Sequence, residues 1–168
     1  SDGMVVTNAD NLIIAANPAF SSITGYTLDE VKGKNPRIFS SGKHDRKFFQ
    51  EMWGALVAKG HWQGEIWDKR KNGDIYAKWL TISTVTNNDG SIHRHVALFS
   101  DITDRKMSEE IIWRQANFDT LTDLPNRRMF LDRLQQEIKK YVRSKLPVAL
   151  MLIDLDQFKE VNDTLGHA

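Results

Sequence analysis

The chain has 168 residues, 40% of them hydrophobic and 27% charged, with a formal net charge of +1. This predicts a soluble, core-forming protein of one to one and a half domains, and it gives no footing for nucleic-acid or membrane-surface binding. The absence of cysteine excludes disulfides, thiolate metal sites and cysteine-based photochemistry. No apolar stretch approaches the roughly 20 residues of a membrane span. Ser1-Asp2-Gly3 has no signal-peptide character and lacks an initiator methionine, so the expectation is a cytoplasmic segment of a longer protein, which can carry a membrane anchor elsewhere.

Met4–Thr7 and Leu12–Ala15 flank the turn-prone Asn8-Ala9-Asp10-Asn11 and predict a β-hairpin. Asn17-Pro18 starts a helix, with asparagine as cap and proline in the first turn. Ala19, Phe20, Ile23 and Tyr26 supply its apolar side. Asp29-Glu30-Val31 is a short helical turn closed by Gly33. From Asp45 to Lys59 the spacing of Phe48, Phe49, Met52, Trp53, Leu56 and Val57 predicts a longer helix stopped by Gly60. Three strands follow. Trp62–Arg70 ends at Lys71-Asn72-Gly73, a type I′ hairpin signal. Ile75–Thr86 ends at Asn87-Asn88-Asp89-Gly90, and Ile92–Ser100 completes the meander. In that last strand His93, His95, Ala97 and Phe99 share one face, with His93 and His95 expected to be solvated beside the turn. Hairpin-joined strands exclude a doubly wound fold.

Asn17-Pro18-Ala19-Phe20, Thr24-Gly25-Tyr26, Gly33-Lys34-Asn35-Pro36-Arg37, Trp62-Gln63-Gly64-Glu65, Arg70-Lys71-Asn72-Gly73 and Asp101-Ile102-Thr103-Asp104-Arg105-Lys106 come in the order and spacing of PAS domains, which residues 1–106 resemble. The resemblance implies an α+β fold: a five-stranded antiparallel sheet with flanking helices around a small pocket. It implies sensing or dimerisation without naming a ligand. Residues 33–40 are similar to the flavin-binding helix of LOV-type PAS domains, where Asn35 and Arg37 keep positions used for the ribityl and phosphate groups. Pro36 stands in place of the adduct-forming cysteine, which excludes that photochemistry. Asp68 and Lys78 stand where the family places amides that read the flavin ring. A flavin is therefore one candidate occupant, and an empty structural pocket is another. Haem would need an axial ligand from His44, His61, His93 or His95, and lone histidines in strands or loops are more often surface or core residues. Trp67 is expected to wall the pocket.

Thr103 or Asp104 can cap a helix through Met107, Ile111, Arg114 and Phe118, spaced by 4, 3 and 4 residues. It reads either as an amphipathic helix folded back on its own domain or as a two-chain coiled coil, and the second predicts a homodimer. Beyond it, Asn126 is a helix cap. Phe130, Leu134, Ile138, Tyr141 and Val142 continue that helix to about Ser144, and the apolar run Val148–Ile153 predicts a buried strand.

Phe118-Asp119-Thr120-Leu121-Thr122-Asp123-Leu124-Pro125-Asn126-Arg127-Arg128 and Ile153-Asp154-Leu155-Asp156-Gln157-Phe158-Lys159 resemble the opening of a diguanylate cyclase (GGDEF) domain, an α/β domain that condenses two GTP into cyclic di-GMP. The resemblance implies Mg²⁺ bound by the Asp154 carboxylate and the Leu155 carbonyl, with Asp156 the nearby alternative ligand, in that family more often a fold-supporting acid. It also implies triphosphate held around Gln157, Phe158 and Lys159, guanine read by Asn162, and a substrate contact at His167. Hard oxygen ligands suit Mg²⁺. The chain stops at Ala168, before the Gly-Gly-Asp/Glu-Glu-Phe signature, so it is expected to be inactive alone.

The expected organisation is a PAS sensor over residues 1–103, a signalling helix over 104–118 and the N-terminal part of a cyclase domain over 119–168. Two other readings stay open: a degenerate GTP-binding domain that regulates an attached phosphodiesterase, and a module for dimerisation and ligand sensing only.

Overall fold

The computed structural model describes residues 2–166, excepting the side chains of Ser144, Glu160, Val161, Asn162 and Leu165. The chain divides into two compact units, residues 1–112 and 113–168. In the first, β1 (Gly3–Asn8), β2 (Ile13–Ala16), β3 (His61–Lys69), β4 (Ile75–Thr86) and β5 (Ile92–Asp101) form one antiparallel sheet in the order β2-β1-β5-β4-β3. Between β2 and β3 run α1 (Pro18–Thr24), α2 (Leu28–Val31), a 3₁₀ turn (Pro36–Phe39) and α3 (Arg46–Lys59). Their starts are written locally. Asn17, Thr27, Asn35 and Asp45 each accept a backbone N–H from the first turn that follows, satisfying donors that a helix leaves open.

The three hairpins share one geometry. Asn11, Gly73 and Gly90 donate their N–H to the carbonyls of Asn8, Arg70 and Asn87, three residues back. Each adopts a left-handed backbone conformation. This is a type I turn followed by a left-handed residue, the three-residue loop. The expected type I′ turn at Lys71-Asn72-Gly73 is therefore corrected, because Asn72 keeps a negative φ.

Alternation sets the core. Val5 on β1, Ile66 on β3, Leu80 and Ile82 on β4, and Phe99 on β5 pack with Phe20, Val31, Phe39, Met52 and Leu56 from the helical side. The Phe20 ring meets Phe39 and Phe99 edge-on, at 5.7 and 6.3 Å between centroids, a favoured aromatic geometry. Tyr26 lies beyond the end of α1 but still packs on this core. Trp53 and Trp62 join it as well, whereas Trp79 and Trp113 are exposed.

Helix α4 (Thr103–Asn117) leaves β5 and carries the chain into the second unit. Thr103 is its first residue rather than its cap. Its N–H donates to the Asp101 carboxylate (2.9 Å), and its hydroxyl accepts the Ala77 N–H (3.1 Å). Phe118 lies past the helix, bridged to Pro125, with its ring 5.6 Å from Trp113. The helix expected to run through Phe118 therefore ends at Asn117.

In the second unit, Asp119 organises the turn into α5 (Arg127–Ser144). Its carboxylate accepts from the N–H groups of Leu121 and Thr122 and from the Thr122 hydroxyl. Those bonds hold its pKa below the usual carboxylate value. Arg114 pairs with Asp123 at 2.6 Å. Asn126 caps α5 and also donates to the Ala116 carbonyl.

Residues 148–153 are irregular, with Leu150, Met151, Leu152 and Ile153 exposed. The expected strand is corrected: a strand needs a neighbour for its N–H and C=O groups, and none is present among the described residues. Helix α6 (Phe158–Leu165) follows. Among the described residues no helix is long and apolar enough to cross a membrane.

Candidate functional site

Between the helices and the sheet of the first unit lies a cavity of about 430 Å³. Strand pairing lays out its floor in rows. Thr7 faces His95 across β1 and β5, Val5 faces Ala97 and then Ile82 one row on, and Phe99 faces Leu80 in the next. Beyond that row stand Lys78 and Asp68, on neighbouring strands β4 and β3. The cavity thus has a polar pole at each end and an apolar band between them, roofed by Phe20, Phe39, Phe49, Met52 and Trp53.

At one pole the Lys78 ammonium meets the Asp68 carboxylate at 2.5 Å, each side chain only 9% exposed. The ammonium also lies 4.7 Å from the centre of the Phe99 ring. Burial of an ion is costly unless it is paired, and here each charge is the other's partner.

At the opposite pole His95 is buried, contrary to the expectation that it is solvated; His93 is exposed. Trp53 covers the His95 ring edge-on at 5.6 Å, and Nδ1 lies 3.1 Å from the Thr84 hydroxyl. Burial lowers its pKa, favouring the neutral imidazole. Beside it, the Thr7 hydroxyl is buried with no hydrogen-bond partner.

Asn35 and Arg37 line the cavity; Arg37 is exposed, with Nε 3.4 Å from the Asn35 side-chain oxygen. Trp67 does not line it, which corrects the expectation. Pleat alternation turns Trp67 away from the side of Ile66 and Asp68, where Lys43 lies over its ring at 3.7 Å and Glu65 accepts its indole N–H. His44 accepts the Trp67 backbone N–H, and its ring stacks on Phe48. His61 is exposed at the start of β3. For a flavin, the residues present would suit the polar tail at Asn35 and Arg37. The ring end differs, carrying an ion pair in place of two neutral amides.

The residues expected to handle Mg²⁺ and GTP fall close together along the chain. Asp154 and Leu155 lie in the irregular segment before α6, and both are exposed. Gln157 takes a left-handed conformation that turns the chain into α6, where Phe158, Lys159 and Asn162 follow. His167 lies outside the described residues. Among the described residues no three His, Asp or Glu side chains converge as a metal site would need. Asp154 and Leu155 nonetheless offer hard oxygen donors of the kind Mg²⁺ takes.

The first unit is thus a hairpin-built antiparallel sheet with short helices closed over a two-poled cavity. Residues 1–104 match the PAS domain family, and the chain belongs to it; residues 116–168 match the diguanylate cyclase GGDEF domain. The chain is 30% identical over 162 residues to a nitrogen fixation regulatory protein of Klebsiella oxytoca, covering 96% of this chain and 28% of that protein. It is 36% identical over 103 residues to a blue-light-activated histidine kinase of Brucella anthropi, covering 60% and 21%. The LOV domain of a blue-light-activated histidine kinase from Erythrobacter litoralis shares the fold, with a TM-score of 0.55 at 20% identity over 60% of this chain and 95% of that domain. The chain spans about a quarter of the length of the curated relatives it matches. It is a PAS sensory module linked to a diguanylate-cyclase-type domain.

Proposed function

We propose that the PAS module controls a diguanylate cyclase that makes cyclic di-GMP from two GTP. The observation that carries this reading is α4, a single helix running from the last PAS strand into the segment that matches the cyclase domain. A rigid helix can pass a change at the sheet to the domain it enters. Asp154 and Leu155 would hold Mg²⁺ in the complete domain, with Phe158, Lys159, Asn162 and His167 against the nucleotide. Bound there, Mg²⁺ would make the attacking 3′-hydroxyl more acidic and offset charge at the α-phosphate. Lys159 would balance phosphate charge. The 168 residues do not contain the Gly-Gly-Asp/Glu-Glu-Phe signature, so alone they are proposed to be inactive.

Two GTP-loaded sites must face one another to close a cyclic dinucleotide, which favours a homodimer. Met107, Ile111, Ile112 and Trp113 on α4 are all more than half exposed, supporting a helix pair as its seam. A flavin in the cavity is supported by Asn35 and Arg37 at its wall and by the LOV-type fold neighbours. An absorbance spectrum of the purified protein tests it: flavin bands, released on denaturation, would establish the pigment, and a colourless protein would exclude it. The cyclase reading is tested on the protein carrying the complete domain, by chromatography of its products from GTP and Mg²⁺. Cyclic di-GMP is expected, and its absence would overturn the reading.

A further inference from the structure

The ion pair at one pole of the cavity still has hydrogen-bonding capacity on both partners. An ammonium carries three N–H donors and a carboxylate about four lone-pair sites, while the contacts of Lys78 and Asp68 account for one bond between them and a ring face. What is left is donor capacity on Lys78 beside acceptor capacity on Asp68, fixed on adjacent strands. An amide or lactam edge is the complement, since its C=O accepts where Lys78 donates and its N–H donates where Asp68 accepts. A carboxylate or an amine would instead add an unbalanced charge to a pole that is already neutral, inside apolar walls where a lone charge is costly.

The other pole supplies an independent observation. Thr7 is 4% exposed, and its hydroxyl has no partner in the protein. Buried hydroxyls are almost always satisfied, so this one is placed for a group that the chain does not supply. From the Phe99 row to the His95 row is four residues of strand, about 14 Å, and the sheet floor between them, Leu80, Ile82, Val5 and Ala97, is apolar.

We propose that this cavity binds an elongated, mostly apolar small molecule that is uncharged within it. Its amide or lactam edge is read by Asp68 and Lys78, and a hydroxyl or carbonyl at its far end is met by Thr7. The inference deepens the sensory reading by naming the ligand chemistry and the residues that select it. An open-chain amide and a heterocyclic lactam edge, such as that of a flavin ring, share this chemistry.

Calorimetric titration of the chain with para-hydroxyphenylbutanamide, with its carboxylate and amine analogues, with phenylbutanamide and with riboflavin tests it. The amide should bind at least tenfold more tightly than the carboxylate or the amine. Thr7→Val should remove an advantage of about fivefold for the hydroxylated amide, the worth of one neutral hydrogen bond. Asp68→Leu combined with Lys78→Met, an apolar replacement that keeps the core filled, should weaken amide binding at least tenfold, because the amide edge then loses both hydrogen-bond partners. Riboflavin binding that this double variant loses would assign the heterocyclic source. Equal binding of carboxylate or amine, amide affinity that survives the double variant, or binding of neither the amide nor riboflavin would overturn the proposal. Cyclase output is not read in this titration, so failure here leaves the cyclase reading standing.

Discussion

Glu65 and Lys106 pair at 2.7 Å, tying the first turns of α4 to β3 at the edge of the sheet. Glu65 also accepts the Trp67 indole N–H, so one carboxylate connects the strand, the strand's outer face and the connector. The pair is about one third exposed on each side, and solvent screening limits its worth to about 1 kcal/mol or less. Lys106→Met should therefore scarcely change global stability. It should speed hydrogen exchange over residues 106–112 while leaving β4 and β5 protected. Unchanged exchange in α4 would show that Asp101 and Thr103 alone hold the helix start.

The buried pair makes a different prediction. Asp68→Ala leaves the Lys78 ammonium uncompensated and should cost about 3–5 kcal/mol in chemical denaturation. Replacing both residues with leucine and methionine should cost far less, or nothing. Equal losses in the two variants would mean that packing, rather than charge, governs this end of the cavity.

His95 predicts an acid-side loss of stability. Its folded pKa lies below the ordinary 6.5 because burial disfavours the charged ring. As pH falls through that value the unfolded chain takes up the proton first, so stability drops with acidification. The contribution is fully present above 6.5 and is lost toward the lower folded pKa. Asp101 acts further down. Burial alone would raise it, but hydrogen bonds from Arg70 and Thr103 outweigh that and hold it below 3.8. Denaturation midpoints measured across mildly acid pH should fall for the wild type and stay flatter for His95→Gln. Parallel curves would remove His95 from the account.

Met107 and Ile111 lie one turn apart on the exposed face of α4. Burying each against a second copy would contribute about 1.5–3 kcal/mol. Met107→Glu with Ile111→Glu should shift a dimer to monomer in analytical ultracentrifugation; an unchanged dimer would place the interface elsewhere.

Most of the fold was legible because its signals are local. The caps at Asn17, Asp45 and Asn126 and the turn residues of three hairpins each act within a few positions of themselves. The cavity's chemistry was less legible because it depends on register. Strand pattern puts Asp68 and Lys78 on one face, but only the β3–β4 pairing brings their charges together. The faces of β5 were readable, yet the burial of His95 is imposed by Trp53 on α3, far away in sequence. Trp67 was misplaced although a signal existed: with Asp68 facing the cavity, its neighbour must face away. The run Val148–Ile153 has the composition of a central strand, and composition cannot supply the neighbour that a strand needs.

The central claim is that this sensory module is joined to a cyclase whose metal site begins at Asp154. The most direct measurement is the rate at which the protein carrying the complete cyclase domain converts GTP to cyclic di-GMP with Mg²⁺, compared with its Asp154→Asn variant. A neutral amide is a poor ligand for a hard cation, so turnover should fall by on the order of a hundredfold or more, as for loss of a principal electrostatic contribution to catalysis. Near wild-type turnover in the variant would remove Asp154 from the site and contradict the account.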